Sequence, residues 1–356
     1  MPTPGLLIDA QTVIDLMATG ASQCGAGRIL GVSRNSIRSA MDRAARLGLA
    51  PRPTVTATPF SVTNAPPDTN EPLADLWSRR RASGRRVREL VKQGEVHTIA
   101  IHETGPVGIL HFGDPHLDDP GCDFDLLADE VELVERTPGL FAGVLGDLQN
   151  NWVGRLAKLH AKQDVTSEQA WALVEEMIRR LSPRLLYLVA GNHDLWSADG
   201  GDPLKWVMRP HPAAHAASQL RIRFHFPNGT EVRLNARHDW PGGSQFNPAF
   251  GQGKAAFMGL GDHIVMSGHR HNSGYMTYFN PHNGVLSHCV QVGSYKISDD
   301  FARERGFLRN NLTPSVLTII DPAANSEAER VLVFPSVRQG VKVLNALRSG
   351  SSNSAG

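Results

Sequence analysis

The chain has 356 residues, 41% hydrophobic and 20% charged, with a net charge of +1. This is the size and balance of a soluble globular protein with one large core and a small extra domain, or with two domains. A charge so near zero excludes a polycation, so contact with nucleic acid needs a local basic patch; the scattered Cys24, Cys122 and Cys289, without a CxxC, argue against a disulfide framework or a thiolate zinc site.

No basic n-region leads a long apolar stretch, and no run approaches the ~18 apolar residues of a membrane span, so a cytoplasmic protein is expected.

Residues 1–50 read as a small all-α domain. "DAQTVIDLMATG" carries Val13, Ile14 and Met17 at helical spacing and ends at Gly20. Farther on, Ile29 and Leu30 are followed by Gly31 and Val32, then by Ser33, a natural N-cap. The next helix starts at Arg34 and buries Ile37, Ala40, Met41 and Ala44. A glycine turn, a cap and a polar-basic helix face are the parts of a helix-turn-helix, whose second helix offers its first turn to DNA. Arg34, Asn35, Ser36 and Arg38 are then the candidate contacts to bases or phosphates. The stretch resembles the helix-turn-helix domains of repressors and of phage packaging or replication proteins. Gly25 and Gly27 weaken its first helix by roughly 1 kcal/mol each, and a three-helix oligomerisation unit is the other reading.

Residues 51–75, rich in Pro, Thr and Ala, read as an extended linker. Residues 76–97 read as a basic helical segment, in which Arg79, Arg80, Arg81, Arg85, Arg86, Arg88 and Lys92 face one internal acid, Glu89. Such a run is a solvated helix or a tracker of phosphates.

From 98 to 338 short apolar runs alternate with helical stretches, the pattern of a layered α/β domain. Strands are predicted at Val107–Phe112, Phe141–Leu145, Leu185–Ala190, Glu231–Ala236, His263–Ser267, Val285–Val292, Val316–Ile320 and Val331–Phe334. Helices are predicted at Asp125–Arg136 and Ser167–Leu181. Residues 339–356 read as a tail whose end, "RSGSSNSAG", is disordered.

Five of the apolar runs end in oxygen or imidazole side chains, where open α/β sheets place their sites. "GILHFGDPHLDD" delivers Asp114 and His116, and "GDLQNNW" delivers Asp147 and Asn150. "GNHDLW" delivers Asn192, His193 and Asp194, "RHDWPGG" His238, and "GHRHNSG" His269 and His271. Alone, Asp-Pro-His is a good turn sequence; five such blocks in order are hard to explain as turns. Carboxylates and imidazoles in this number suit two divalent cations, and without thiolates they lean towards manganese, iron or catalytic zinc.

At these residues the chain resembles the calcineurin-like metallophosphoesterase superfamily, with its DxH, GDxx(D/N), GNH(D/E), lone His and GHxH blocks. The resemblance implies a layered β-sandwich flanked by helices. It implies that Asp114, His116 and His271 bind one metal, that Asp147 bridges, and that Asn192, His238 and His269 bind the other. It further implies attack on phosphorus by a metal-activated hydroxide, with His193 assisting the leaving group and Asn150 or Asp194 holding His193. His211, His215 and His225 compete with His238, which is preferred because it follows an alternating strand and precedes a glycine turn. His111, His160, His263, His282 and His288 read as structural.

Asn151 stands where protein phosphatases of the superfamily usually carry an arginine, which disfavours a protein substrate. The layout also resembles phage- or prophage-encoded members and the nuclease subunit of SbcCD-type repair complexes. A DNA phosphodiesterase, recruited by the helix-turn-helix and dimeric if it reads two half-sites, is the leading expectation. A phosphomonoesterase or cyclic-nucleotide phosphodiesterase, and a non-catalytic DNA-binding regulator, are the alternatives.

Overall fold

In the computed structural model, which describes residues 8–52, 72–93, 96–196, 202–244, 246–259, 261–297 and 313–353, short polar side chains start the first three helices. Asp9 accepts the main-chain N–H of Gln11 and Thr12 ahead of α1 (Ala10–Ala18). Ser22 accepts that of Gly25 ahead of α2 (Gln23–Leu30), and Ser33 that of Ser36 ahead of α3 (Arg34–Arg46). Helix α2 stops at Gly31, whose φ of 66° suits glycine. Val13, Ala26, Ile37 and Ala40 meet in a small core, with Met41 half-buried against it rather than enclosed. These helices belong to one of two units in the chain, Met1–Trp77 and Ser78–Gly356.

Helix α4 (Leu73–Gln93) begins inside the stretch expected as linker, most of which, 53–71, lies outside the described residues. The basic segment does not continue as helix to 97, because His97 already pairs in a strand.

The second unit contains two six-stranded mixed sheets. In chain order its elements are β1 (His97–Ala100), β2 (Val107–Phe112), α5 (Phe124–Arg136), β3 (Leu140–Val144), α6 (Ser167–Leu181), β4 (Leu185–Val189), α7 (Leu204–Met208) and β5 (Ala214–Ala216). There follow β6 (Gln219–His225), β7 (Glu231–Arg237), α8 (Phe250–Met258), β8 (Ile264–Ser267), β9 (Gly274–Asn280) and β10 (Val285–Gln291). Last come β11 (Ser315–Ile320), α9 (Glu327–Arg330), β12 (Val331–Phe334) and α10 (Val337–Asn353).

One sheet runs β12-β11-β2-β3-β4-β5, with β2 to β5 parallel; the other runs β1-β6-β7-β8-β10-β9, with β7, β8 and β10 parallel. Strand periodicity splits β2 between two cores. Val107 and Ile109 join Tyr187 and Val189 against Leu220, Leu234, Ile264 and Met266 of the other sheet. Leu110 and Phe112 point the other way, towards Val131, Val134, Val174, Ile178 and Leu344 on α5, α6 and α10. The chain is therefore a mixed α/β protein with a core between its sheets and helices on an outer face.

The region expected as a tail from 339 is instead helix α10. It is described to Asn353 and buries Leu344 against β2 and β11. Arg348 anchors it to the carbonyl of Pro106 at 2.8 Å and to Glu103 at 2.9 Å. Its apolar residues Val337, Val341 and Leu344 recur at i, i+4 and i+7, one helical stripe. Only 354–356 of that stretch lie outside the described residues. No helix among the described residues is long and apolar enough to cross a membrane.

Candidate metal centre

The parallel strands β2, β3 and β4 of one sheet, and β7 and β8 of the other, end at the same place. Asp114 and His116 follow β2, Asp147 follows β3, Asn192 and His193 follow β4, His238 follows β7, and His269 and His271 follow β8. The backbone there is unusual. Among the described residues, the non-glycine positions with positive φ are His116, Asp147, Asn151, His269 and His271. Such conformations cost of order 1–3 kcal/mol each and persist only where the surroundings fix them. Four of these five are sequence-predicted ligands.

The side chains form two groups whose ligand atoms lie within 4.8 Å of one another: Asp114, His116 and His271, and Asp147, His238 and His269. In the first, His116 Nε2 is 3.2 Å from His271 Nε2, which is 3.3 Å from Asp114 Oδ2. In the second, His238 Nε2 is 3.1 Å from Asp147 Oδ2, from His269 Nδ1 and from the Asn192 amide oxygen. His238 Nδ1 donates to the carbonyl of Leu145 at 2.7 Å, which turns Nε2 towards the group. Each group draws on both sheets.

The donor set fits divalent cations. Asp114 is fully buried, yet neither of its carboxylate oxygens accepts a hydrogen bond, and His116 Nδ1 is likewise without a partner. A buried carboxylate without donors calls for a positive charge beside it. The electrostatics agree. Burial acts against the charge on Asp147, but His238 and His193 beside it hold its carboxyl well below the ordinary range. Burial likewise works against a charged His238, yet Asp147 and Asp114 draw its pKa up to about 10. Burial pushes His116 and His269 down towards the neutral form that binds metal, and lowers His193 as well, against the pull of Asp147.

His193 Nε2 faces the centre, 3.9 Å from Asp147 Oδ2, while Nδ1 donates to the main-chain carbonyl of Asn150 at 2.5 Å. Asn150 thus holds the ring, but through its backbone rather than its amide. Asp194, expected as the other holder, does not bond the ring. Its buried carboxylate accepts the main-chain N–H of Leu148 at 3.0 Å and of Gly191 at 2.8 Å, tying the β3 and β4 loops together. Burial, with Asp147 nearby, raises its pKa to about 7. Asn151 donates to the carbonyls of His193 at 2.8 Å and Trp196 at 2.7 Å, so it acts on the loop and offers no cation to a phosphate.

The competing histidines lie elsewhere. His211 bonds Ser182, His215 bonds Asp202 and the Leu188 carbonyl, and His225 pairs with Glu231. Arg270, inside GHRH, turns to Asp239 at 3.0 Å. In the N-terminal unit Arg34, Asn35 and Arg38 are exposed on α3. The Ser36 hydroxyl is engaged with Ser33 Oγ at 2.9 Å, so it belongs to the helix cap.

Sequence reading passed over Lys296 and the two tryptophans at His193. The rings of Trp152 and Trp196 lie 5.1 and 4.1 Å from the imidazole. Lys296 follows β10 in "GSYK", a stretch with no ligand-like spacing. No protein-family model matches the chain, and no curated protein matches it significantly.

Proposed function

We propose that the chain is a dinuclear metal-dependent phosphoesterase of the calcineurin-like metallophosphoesterase type, acting as a phosphodiesterase on DNA. The observation that carries this reading is the pair of Asp/His groups at the ends of parallel strands, four of whose six residues stand on left-handed backbone. Asp114, His116 and His271 would hold one divalent cation and Asp147, His238 and His269, with the Asn192 amide oxygen, the other. Manganese is preferred, with iron or zinc as alternatives. Such ions supply Lewis acidity and lower the pKa of water. His193 presents Nε2 to the leaving oxygen, its other nitrogen fixed by the Asn150 carbonyl. Asp194 and Asn151 keep the β3 and β4 loops in register.

DNA is favoured as substrate by the N-terminal unit. Its α2–α3 pair has the capping and turn of a helix-turn-helix, with Arg34, Asn35 and Arg38 exposed on the first turns of α3. The exposed arginines of α4, among them Arg80, Arg81, Arg85 and Arg86, add sequence-independent attraction to phosphates.

The test is a screen of metals against DNA, bis-p-nitrophenyl phosphate, p-nitrophenyl phosphate and cyclic nucleotides. Manganese-dependent DNA cleavage that Asp147→Ala abolishes, with DNA binding kept, is the expected result. Activity confined to small esters would move the substrate assignment, and no hydrolysis of any of the four substrates under any metal would overturn the enzymatic reading.

A further inference from the structure

We infer that Lys296 is a positioning residue for the leaving-group histidine, acting through Asn150 and Asp119. This rests on the phosphoesterase reading for its consequence in catalysis, though not for its geometry.

Lys296 is only 2% exposed. Its ammonium donates to Asp119 Oδ2 at 2.9 Å and to the Asn150 amide oxygen at 3.2 Å, and lies 5.4 Å over the ring of Trp152. Asn150 Nδ2 donates in turn to Asp119 Oδ2 at 2.9 Å, closing a three-membered ring of polar contacts. The Asn150 N–H donates to Asp118 Oδ1 at 2.7 Å. Both ends of the Asn150 side chain and its amide are thereby committed, and its carbonyl is left aimed at His193 Nδ1. Trp152, under the ammonium, packs edge-on against the same imidazole.

The fold brings Lys296 there by a separate route. The chain after β10 runs beside the loop after β2, bridging Ser294 to Asp114 and Lys296 to Cys122. Ser294 Oγ and the Tyr295 N–H both donate to the Asp114 carbonyl, at 2.8 and 3.2 Å. A segment without a ligand of its own thus braces the loops of the centre. A buried lysine needs a paired anion to be tolerated, and breaking such a pair leaves an uncompensated charge. Holding Nδ1–H on the Asn150 carbonyl fixes the ring with Nε2 facing the centre, where Nε2 must carry the proton that passes to the leaving oxygen.

A group that only aids departure matters most when the leaving oxygen is basic. The test compares Lys296→Met, of similar length without charge, with wild type on two substrates. One is a dinucleotide phosphodiester, with an alkoxide leaving group, and the other bis-p-nitrophenyl phosphate, with a phenolate. The expected loss is about 10²-fold on the dinucleotide and less than about threefold on the nitrophenyl ester, with metal content unchanged. Asp119→Asn, which opens the ring of contacts from the other side, should give the same split, and stands in if the methionine variant does not fold. The second readout is nitrogen NMR of the histidines in metal-free protein. Wild type should show His193 as a single Nδ1–H tautomer, and both variants a mixture.

Equal losses on the two substrates, or an unmoved His193 signal in the variants, overturn the assignment. If wild type hydrolyses neither substrate, the NMR comparison alone decides whether Lys296 positions His193, and if it cleaves no phosphoester at all the phosphoesterase reading fails.

Discussion

Gly191 lies so close to Asp147 that a methyl group on it would fall 2.1 Å from the carboxylate oxygen Oδ1. That contact lets the GNHD loop seat against Asp147 in the loop after β3, and only glycine permits it. Gly191→Ala must push Asp147 aside. Misplacement of about 1 Å can cost on the order of 10²-fold in rate, so kcat/KM on a phosphodiester should fall by about that factor. Metal analysis of the same variant should find less than the wild-type content.

Asp114 should show opposite effects with and without metal. Its buried oxygens accept no hydrogen bond, so in chelator Asp114→Asn should melt at or above the wild-type temperature. With manganese the order reverses. Wild type gains about 2.7 kcal/mol at a hundredfold excess of ligand over Kd, and the variant gains less. Thermal melts in both buffers check this; a variant less stable in chelator would contradict it.

Stability should fall with acid through histidines remote from the centre. His111 is enclosed between the sheets, 2.6 Å from the Tyr187 hydroxyl and 2.8 Å from that of Thr318, and burial holds it down to about 3. Burial also holds His263 and His288 at about 4, the former with help from Arg233. Unfolded histidines take a proton near pH 6.5, while these folded ones stay neutral. Their contribution is full above that pH and is lost as pH falls towards 3–4. Each adds up to about 1.4 kcal/mol per pH unit in that window. His111→Gln should lessen the slope of unfolding free energy, measured by urea titration between pH 6.5 and 4.5.

Helix α10 should prove part of the fold. Leu344 is fully buried, and its Cδ2 lies so near Gly108 that a Cβ there would come within 2.9 Å of it. Leu344→Ala should cost about 2–5 kcal/mol in chemical denaturation. Ending the chain at 338 should yield insoluble protein.

The loops of the centre were legible because each ligand block follows an apolar run of its own. The strands at Val107–Phe112 and Val331–Phe334 have the predicted bounds, β4, β7, β8, β10 and β11 differ by a residue at one end, and β3 by a residue at both. The strands β1, β5, β6 and β9 were not foreseen. In β6, Arg221 and Arg223 alternate with Leu220, Ile222 and Phe224, and the polar half masked the apolar one. In β9, exposed Tyr275 and Phe279 sit on a sheet edge, where alternation carries little meaning. The glycine and serines of "RSGSSNSAG" hid the end of α10, whose packing stripe lies upstream. Between Asn150 and Asp194 the sequence cannot choose, because spacing does not tell a carboxylate that faces a ring from one that faces backbone N–H groups. Lys296 gave no signal, since its role depends on two loops meeting far apart in sequence.

Each Asp/His group takes its carboxylate from the β2–β3 sheet and at least one imidazole from the β7–β8 sheet. Ions bound there would act as rivets across the sandwich. The two layers could not slide or part at that end without shedding a ligand, so the same side chains would set the rate at which the protein comes open. The slow step of unfolding would then be release of metal, and chelators would hasten denaturation even in conditions where the apolar layer between the sheets is untouched.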